Sequence, residues 1–206
     1  MKVTALIIGI DGWEQYTFPL IQSLQQSEPQ CKFVVVDNAS NESYPKIDLI
    51  TRTERLAYSK AINWAKSAAD QLYGESDWYI VLSNDVLCTG EFVEYISTMP
   101  TNQIIGPCLK ENQSWQYLEG WCVAIPKEVW DRLGGWDENF KVSSWEDVDF
   151  STSTLSEGFD ILHYPEFPFI HLDQRQRFTL IPNYWESEYH NYAYFLEKHK
   201  NNVCQS

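Results

Sequence analysis

The chain has 206 residues, of which 44% are hydrophobic and 15% aromatic, ample for one buried core and contrary to intrinsic disorder. With 29 acidic residues against 15 basic ones, the net charge of -14 repels nucleic-acid phosphates and anionic membrane surfaces, so no nucleic-acid partner is expected. Five cysteines (Cys31, Cys88, Cys108, Cys122, Cys204) form neither a C-x-x-C pair nor a zinc ligand set. They read as reduced thiols of a cytoplasmic protein.

Val3 to Ile10 is an apolar run too short to span a bilayer, and the single Lys2 before it with no small-residue cleavage site after it argues against a signal peptide. It reads as a strand covered on both faces. Trp13, Tyr16, Leu20, Ile21 and Leu24 recur at helical spacing, with Thr17 as N-cap and Pro19 in the first turn. Phe33 to Val36 is a second buried strand, closed by the turn formers Asp37, Asn38, Ser40 and Asn41. Leu49-Ile50 is a short third strand, Tyr58 to Leu72 a helix that Gly74 ends, and Trp78 to Leu82 a fourth strand running into Ser83-Asn84-Asp85. This alternation predicts an α/β fold, a mainly parallel sheet with helices on both faces and its ligands at the carboxyl ends of the strands. Asp11, Asp37 and Asp85 fall at such ends.

The second half predicts a strand near Gly120 to Ile125, a helix over Lys127 to Leu133 and the loop Gly134-Gly135-Trp136-Asp137. It continues with a helix from about Ser144 to Gly158, short strands around Ile161 and Phe169, and a last helix from about Glu186 to His199. With no repeat or linker, residues 1–206 are expected to form one domain: a nucleotide-binding half to about residue 100 and an acceptor-binding, catalytic half beyond it.

Three segments carry polar chemistry, and each has a plainer alternative. In Val36-Asp37-Asn38-Ala39-Ser40 the strand-end carboxylate suits a base N–H or a ribose hydroxyl, or simply closes an Asx turn. In Ser83-Asn84-Asp85 the carboxylate suits a hard divalent ion bridging phosphate oxygens, or belongs to a turn. In Trp145-Glu146-Asp147-Val148-Asp149 adjacent acids raise each other's pKa and one can serve as a general base, or Ser143 with Glu146, or Ser144 with Asp147, forms a capping box.

In their order and spacing these segments, with Gly134 to Phe140 and the later His171, resemble the family two glycosyltransferases, which have the glycosyltransferase A fold, a Rossmann-like architecture. The resemblance covers roughly residues 3 to 172. It implies an inverting transfer of sugar from a nucleotide-diphosphate sugar, of UDP or dTDP type, to a hydroxyl of a glycan or other acceptor, with Mn2+ or Mg2+ as cofactor. It implies that Asp37 contacts the nucleobase, that Asp85 and His171 bind metal, and that Asp147 is the base with Glu146 beside it. Asp11, Asn38, Asn84, Trp136 and Trp145 are the further candidates for substrate contact.

Three departures from the family pattern bear on the site. Asp11 stands in a turn that is usually uncharged, and Arg55 or Lys60 replaces a usual Asn-x-Gly as the candidate diphosphate contact. The metal motif carries one carboxylate, because Ser83 stands where some members have Asp. Asp173 to Phe178 is basic for so acidic a chain: Arg175 and Arg177 belong to a lid over the leaving diphosphate or to a solvated loop. The aromatic tail from Tyr184 to Phe195 packs in the core or stacks on sugar. The rival functions are a binding module without turnover and a metal-dependent nucleotidyltransferase. The latter calls for a basic Gly-rich loop after the first strand, and Gly9-Ile10-Asp11-Gly12 has none.

Overall fold

Seven consecutive residues without a formal charge form β1, Val3–Gly9, and every one of them is buried. The computed structural model describes residues 1–42, 44–45, 49–52, 54–112, 115–172 and 184–200. β1 lies between β2 (Lys32–Asn38) and β4 (Trp78–Ser83), parallel to both, and β3 (Leu49–Arg52) extends the sheet beyond β2. On the other side of β4 lies β9 (Cys122–Pro126), antiparallel, followed by β6 (Gln103–Gly106) and β10 (Asp160–His163). The order is β10-β6-β9-β4-β1-β2-β3, and among the described residues β9 alone runs against the others. Strands from both halves of the chain thus share one sheet.

Residues alternate between two cores, as the period of a strand requires. Ala5, Ile7, Ile80 and Leu82 face α1 (Phe18–Ser27), while Leu6, Ile8, Tyr79 and Val81 face α2 (Tyr58–Tyr73) and α4 (Lys127–Leu133). Helices on both faces, as expected, leave the strand ends as the open edge. α2 presents Ala61, Ala65, Ala68 and Ala69 to the sheet, and these small residues let the helix approach closely.

The first helix departs from the reading of its sequence. Trp13–Thr17 is a turn of π-helix whose Tyr16 and Thr17 N–H groups both donate to the Gly12 carbonyl, and α1 begins only at Phe18. Thr17 caps nothing; its hydroxyl bonds with Tyr44 and accepts from the Asn84 amide.

Five elements were absent from the reading of the sequence: β6, α3 (Val93–Ser97), the hairpin of β7 (Leu109–Asn112) with β8 (Trp115–Leu118), and β5 (Val86–Cys88). β5 pairs antiparallel with β11 (Phe169–His171) as a small second sheet. α5 (Glu146–Ser156) starts two residues later than expected, and the last helix, α6 (Tyr184–Lys198), packs Phe195 against Trp145 and Trp115. No described helix is long and apolar enough to cross a membrane. Cys31, Cys88, Cys108 and Cys122 are unbridged, and burial pushes the Cys31 thiol up to about 12, so it packs as an inert thiol. Cys204 lies outside the described residues.

Candidate active site

Parallel strands bring Gly9, Asn38 and Ser83 to one edge of the sheet, and reversed β9 brings its start, Gly120 to Cys122, to the same edge. At the β2 end, Asp37 Oδ1 accepts the Ser40 N–H at 2.9 Å, so the Asx turn is present and Asp37, 3% exposed, closes it. The Asp11 carboxylate is engaged across the turn: Oδ1 accepts the Asn41 N–H at 2.5 Å and Oδ2 the Asn41 amide at 3.0 Å. Asp11 therefore ties the β1 loop to the β2 loop, and its φ of 52° is left-handed for a residue with a side chain. Gly9 makes room for this contact, since a Cβ there would lie 2.7 Å from the Tyr44 hydroxyl.

Two asparagines expected at the ligand have their amides engaged within the protein. Asn38 donates to the Leu56 carbonyl at 3.0 Å and accepts the Leu56 N–H at 2.7 Å, which fixes the chain beside half-buried Arg55. The Asn84 amide donates to the Asp11 carbonyl and to Thr17. Both amides fasten loops of the edge. Lys60 is exposed in the first turn of α2.

Asp85 and His171, 86 residues apart in sequence, meet because β5 pairs with β11: His171 Nε2 lies 3.2 Å from Asp85 Oδ2. Trp121 stacks on the imidazole with ring centroids 4.8 Å apart and planes within 13°. The indole N–H donates to Glu119 at 3.0 Å. His171 Nδ1 is buried with no partner among the described residues. The pair fits a divalent cation, since two adjacent ligands on one ion at about 2.1 Å stand about 3 Å apart. A carboxylate beside an imidazole also suits manganese. No cluster of three or more His, Cys, Asp or Glu ligands occurs among the described residues.

The acids Glu146 and Asp147 open α5 after a strained approach. Val142, Ser144 and Trp145 have φ of 50°, 95° and 70°, costly for side chains and most of all for β-branched valine. Asn191 of α6 holds that run, accepting the Lys141 N–H at 2.8 Å and donating to the Lys141 and Ser144 carbonyls at 2.7 and 2.8 Å. Tyr58 adds a 2.7 Å bond from its N–H to the Val142 carbonyl. The capping box is not formed, because no side chain caps α5 and the Ser143 hydroxyl instead donates to Glu146 Oε1 at 3.2 Å.

Asp147 is half-buried, with Oδ2 accepting the Gly120 N–H at 3.1 Å and Oδ1 the Val148 N–H at 2.9 Å. Burial raises its carboxyl above the ordinary range while those N–H groups pull it back down. Glu146 is 6% exposed with Oε2 unpartnered among the described residues, and burial, then the charge of Asp147, raises it to about 8. The Tyr58 hydroxyl donates to the Gly120 carbonyl at 3.0 Å and lies 3.4 Å from Ser83 Oγ. Burial pushes this phenol well up, and the fields of Glu146, Asp85 and Asp147 add to the effect. Asp85, Glu146 and Asp147 thus all lie close enough to Tyr58 for their charges to act on its phenol.

The tryptophans expected to meet substrate pack against aromatic neighbours. Trp136 is 2% exposed and stacks on Phe150 at 4.6 Å, and Trp145 is wedged against Tyr192 and Phe195. The Gly134-Gly135 loop is held by Asn63, which accepts the Trp136 N–H and donates to the Trp136 carbonyl. Gly135 is required, since a Cβ would lie 2.7 Å from Asn63 Oδ1 at a φ of +93°. Arg175 and Arg177 lie outside the described residues. Gly120, Trp121 and Tyr58 were missed: an apolar strand start and a helix's first aromatic carry no mark of chemistry in the sequence.

This sheet order, with its single reversed strand and a small second sheet holding Asp85 and His171 at the carboxyl edge, is the glycosyltransferase A fold. Solved structures share it. A mannosyltransferase from Pyrobaculum calidifontis, in complex with GDP-Man and Mn2+, is 18% identical over 84% of this chain and 58% of its own, with a TM-score of 0.66. GalNAc-T7 with UDP, GalNAc and Mn2+ is 14% identical over 95% of this chain and 47% of its own, with a TM-score of 0.72. Staphylococcus aureus TarS is 14% identical over 86% of this chain and 38% of its own, with a TM-score of 0.59. The chain thus spans about half the length of the first two. No protein-family model and no curated protein matches it.

Proposed function

We propose that the chain is an inverting glycosyltransferase that moves sugar from a UDP- or dTDP-sugar to an acceptor hydroxyl with the help of Mn2+ or Mg2+. One observation carries the reading: the adjacent residues Gly120 and Trp121 touch the two halves of the chemistry. The Gly120 N–H holds Asp147, and the Trp121 ring lies against His171 beside Asp85. A general base and a metal pair so mounted suit a reaction in which bond formation and departure of the leaving group occur on opposite sides of one carbon.

Asp85 and His171 would hold the cation beside the donor's diphosphate. The cation when bound neutralises the diphosphate and makes it a better leaving group. Asp37 accepts a nucleobase N–H through Oδ2, with Oδ1 kept in its turn. Arg55 and Lys60, with Arg175 and Arg177, are the basic residues available to the diphosphate. Asp147 takes the proton of the acceptor hydroxyl as that oxygen bonds to the anomeric carbon, and the bond from that carbon to the phosphate oxygen breaks with its electron pair leaving on the nucleoside diphosphate. Glu146, held neutral by burial and by the charge of Asp147, leaves the charge on Asp147.

The test is calorimetry with UDP, dTDP and GDP, with and without manganese, on the wild type and Asp85→Ala. Metal-dependent binding of a nucleotide is expected in the wild type and is lost in the variant. Equal affinity in both removes Asp85 from the site.

A further inference from the structure

A metal-binding imidazole is ordinarily oriented by a hydrogen bond from its second nitrogen to a carboxylate or carbonyl, and losing that partner weakens the metal. His171 has no such bond among the described residues: Nε2 faces Asp85 and Nδ1 is buried without a partner. What lies against the ring is Trp121, parallel within 13° at 4.8 Å. The indole is itself held, since its N–H donates to Glu119 at 3.0 Å, and the Trp121 backbone carbonyl accepts the N–H of Ser83, two residues before Asp85, at 3.0 Å.

Resting on the metal pair proposed above, we infer that Trp121 is the positioning residue for His171, its ring face doing for the imidazole what a hydrogen bond to Nδ1 does elsewhere. The flat contact fixes the ring plane, which a hydrogen bond along one edge leaves free to swing. The Trp121 carbonyl fixes the strand end that carries Asp85, so one residue sets both members of the pair. Glu119 serves at one remove, by holding the indole.

The experiment measures manganese binding by electron paramagnetic resonance of the free ion, with UDP present, in the wild type, Trp121→Leu, Trp121→Phe, His171→Ala and the Trp121→Leu/His171→Ala double variant. Trp121→Leu is expected to weaken manganese by about 10- to 100-fold, the usual scale for losing the partner of a metal-binding histidine. Trp121→Phe, which keeps an aromatic face, restores most of the affinity. In the double variant the losses do not add, because without the imidazole there is nothing left to orient. Metal-free nucleotide affinity stays unchanged throughout. Should Trp121→Leu fail to fold, Glu119→Leu frees the indole N–H and is expected to weaken manganese by about threefold; unchanged affinity there overturns the inference. Wild-type affinity in a folded Trp121→Leu, or additive losses in the double variant, also overturns it while leaving the metal pair standing. A wild type that binds no manganese with any nucleotide overturns the metal pair and the inference together.

Discussion

Asp147 and Asp149 stand one residue apart at the start of α5, yet their surroundings differ completely. Asp147 is half-buried and held by two backbone N–H groups, with no cation within ion-pair distance among the described residues. Asp149 is 3% exposed and paired on both oxygens, Oδ1 with His199 at 2.8 Å and Oδ2 with Lys198 at 2.9 Å. Lys198 reaches on to Asp137, which burial would raise but which the ammonium and the Asn139 N–H hold below the ordinary carboxylate range. The same residue type in the same helical turn is architecture where its charge is matched and a candidate for chemistry where it is not.

Asp149→Ala tests the matched side and carries the largest expected effect. It takes the carboxylate from buried His199 and one of the two acidic partners from Lys198, a loss of about 3 kcal/mol that lowers the melting temperature by roughly 6 to 12 °C. Calorimetry checks it, and an unchanged melting temperature breaks the contrast. Asp147→Asn tests the other side, with transfer or donor hydrolysis expected to fall roughly a hundredfold while stability holds. Wild-type turnover in this variant refutes the proposed base. If Glu146→Gln shows that loss in its place, the base is Glu146.

Gly120→Ala probes the mount between them. Its Cβ would lie 3.2 Å from the Asp147 Cβ, so α5 must shift slightly, and kcat is expected to fall roughly tenfold with donor affinity retained. A separate effect is in stability against pH. Glu146 keeps its proton in the folded chain up to about 8 but releases it near 4.5 when unfolded, so between those values the folded state binds more protons and stability falls as pH rises. Glu146→Gln is expected to flatten that slope in melting scans from pH 5 to pH 8; a slope equal to the wild type's assigns it to another group.

The sheet was legible where burial is two-sided: β1, β2 and β4 are apolar runs, and α2 and α4 carry clear periodicity up to Gly74 and Gly134. β5, β7 and β8 were not, because three or four residues with mixed polarity, such as Leu109–Asn112, show no period. The π-turn at Trp13–Thr17 was read as helix because its apolar spacing is helical, and only the distant Tyr44 and Asn84 draw Thr17 out of a capping role. At the site, acids at strand ends announced themselves, and the motif order supplied the pairing of Asp85 with His171. Nothing local could mark Trp121, whose partner lies 50 residues on, nor separate Asp147 from Asp149, because Lys198 and His199 come from the far end of the chain.

The two-residue mount has a mechanical consequence. Gly120 and Trp121 are consecutive residues at the start of β9, so a displacement of that strand end, by heat, by a packing change or by a neighbouring substitution, carries the proposed base and the ring against His171 in the same direction. The error is common to both, and their separation is conserved to first order even when their absolute position is not. Drift at the edge of the sheet then shifts the proposed reaction centre as a unit relative to Asp37 at the end of β2. The alignment most sensitive to distant mutations is therefore that between Asp37 and the Gly120-Trp121 pair, which lie on opposite sides of β1 and β4 and are not neighbours in the chain.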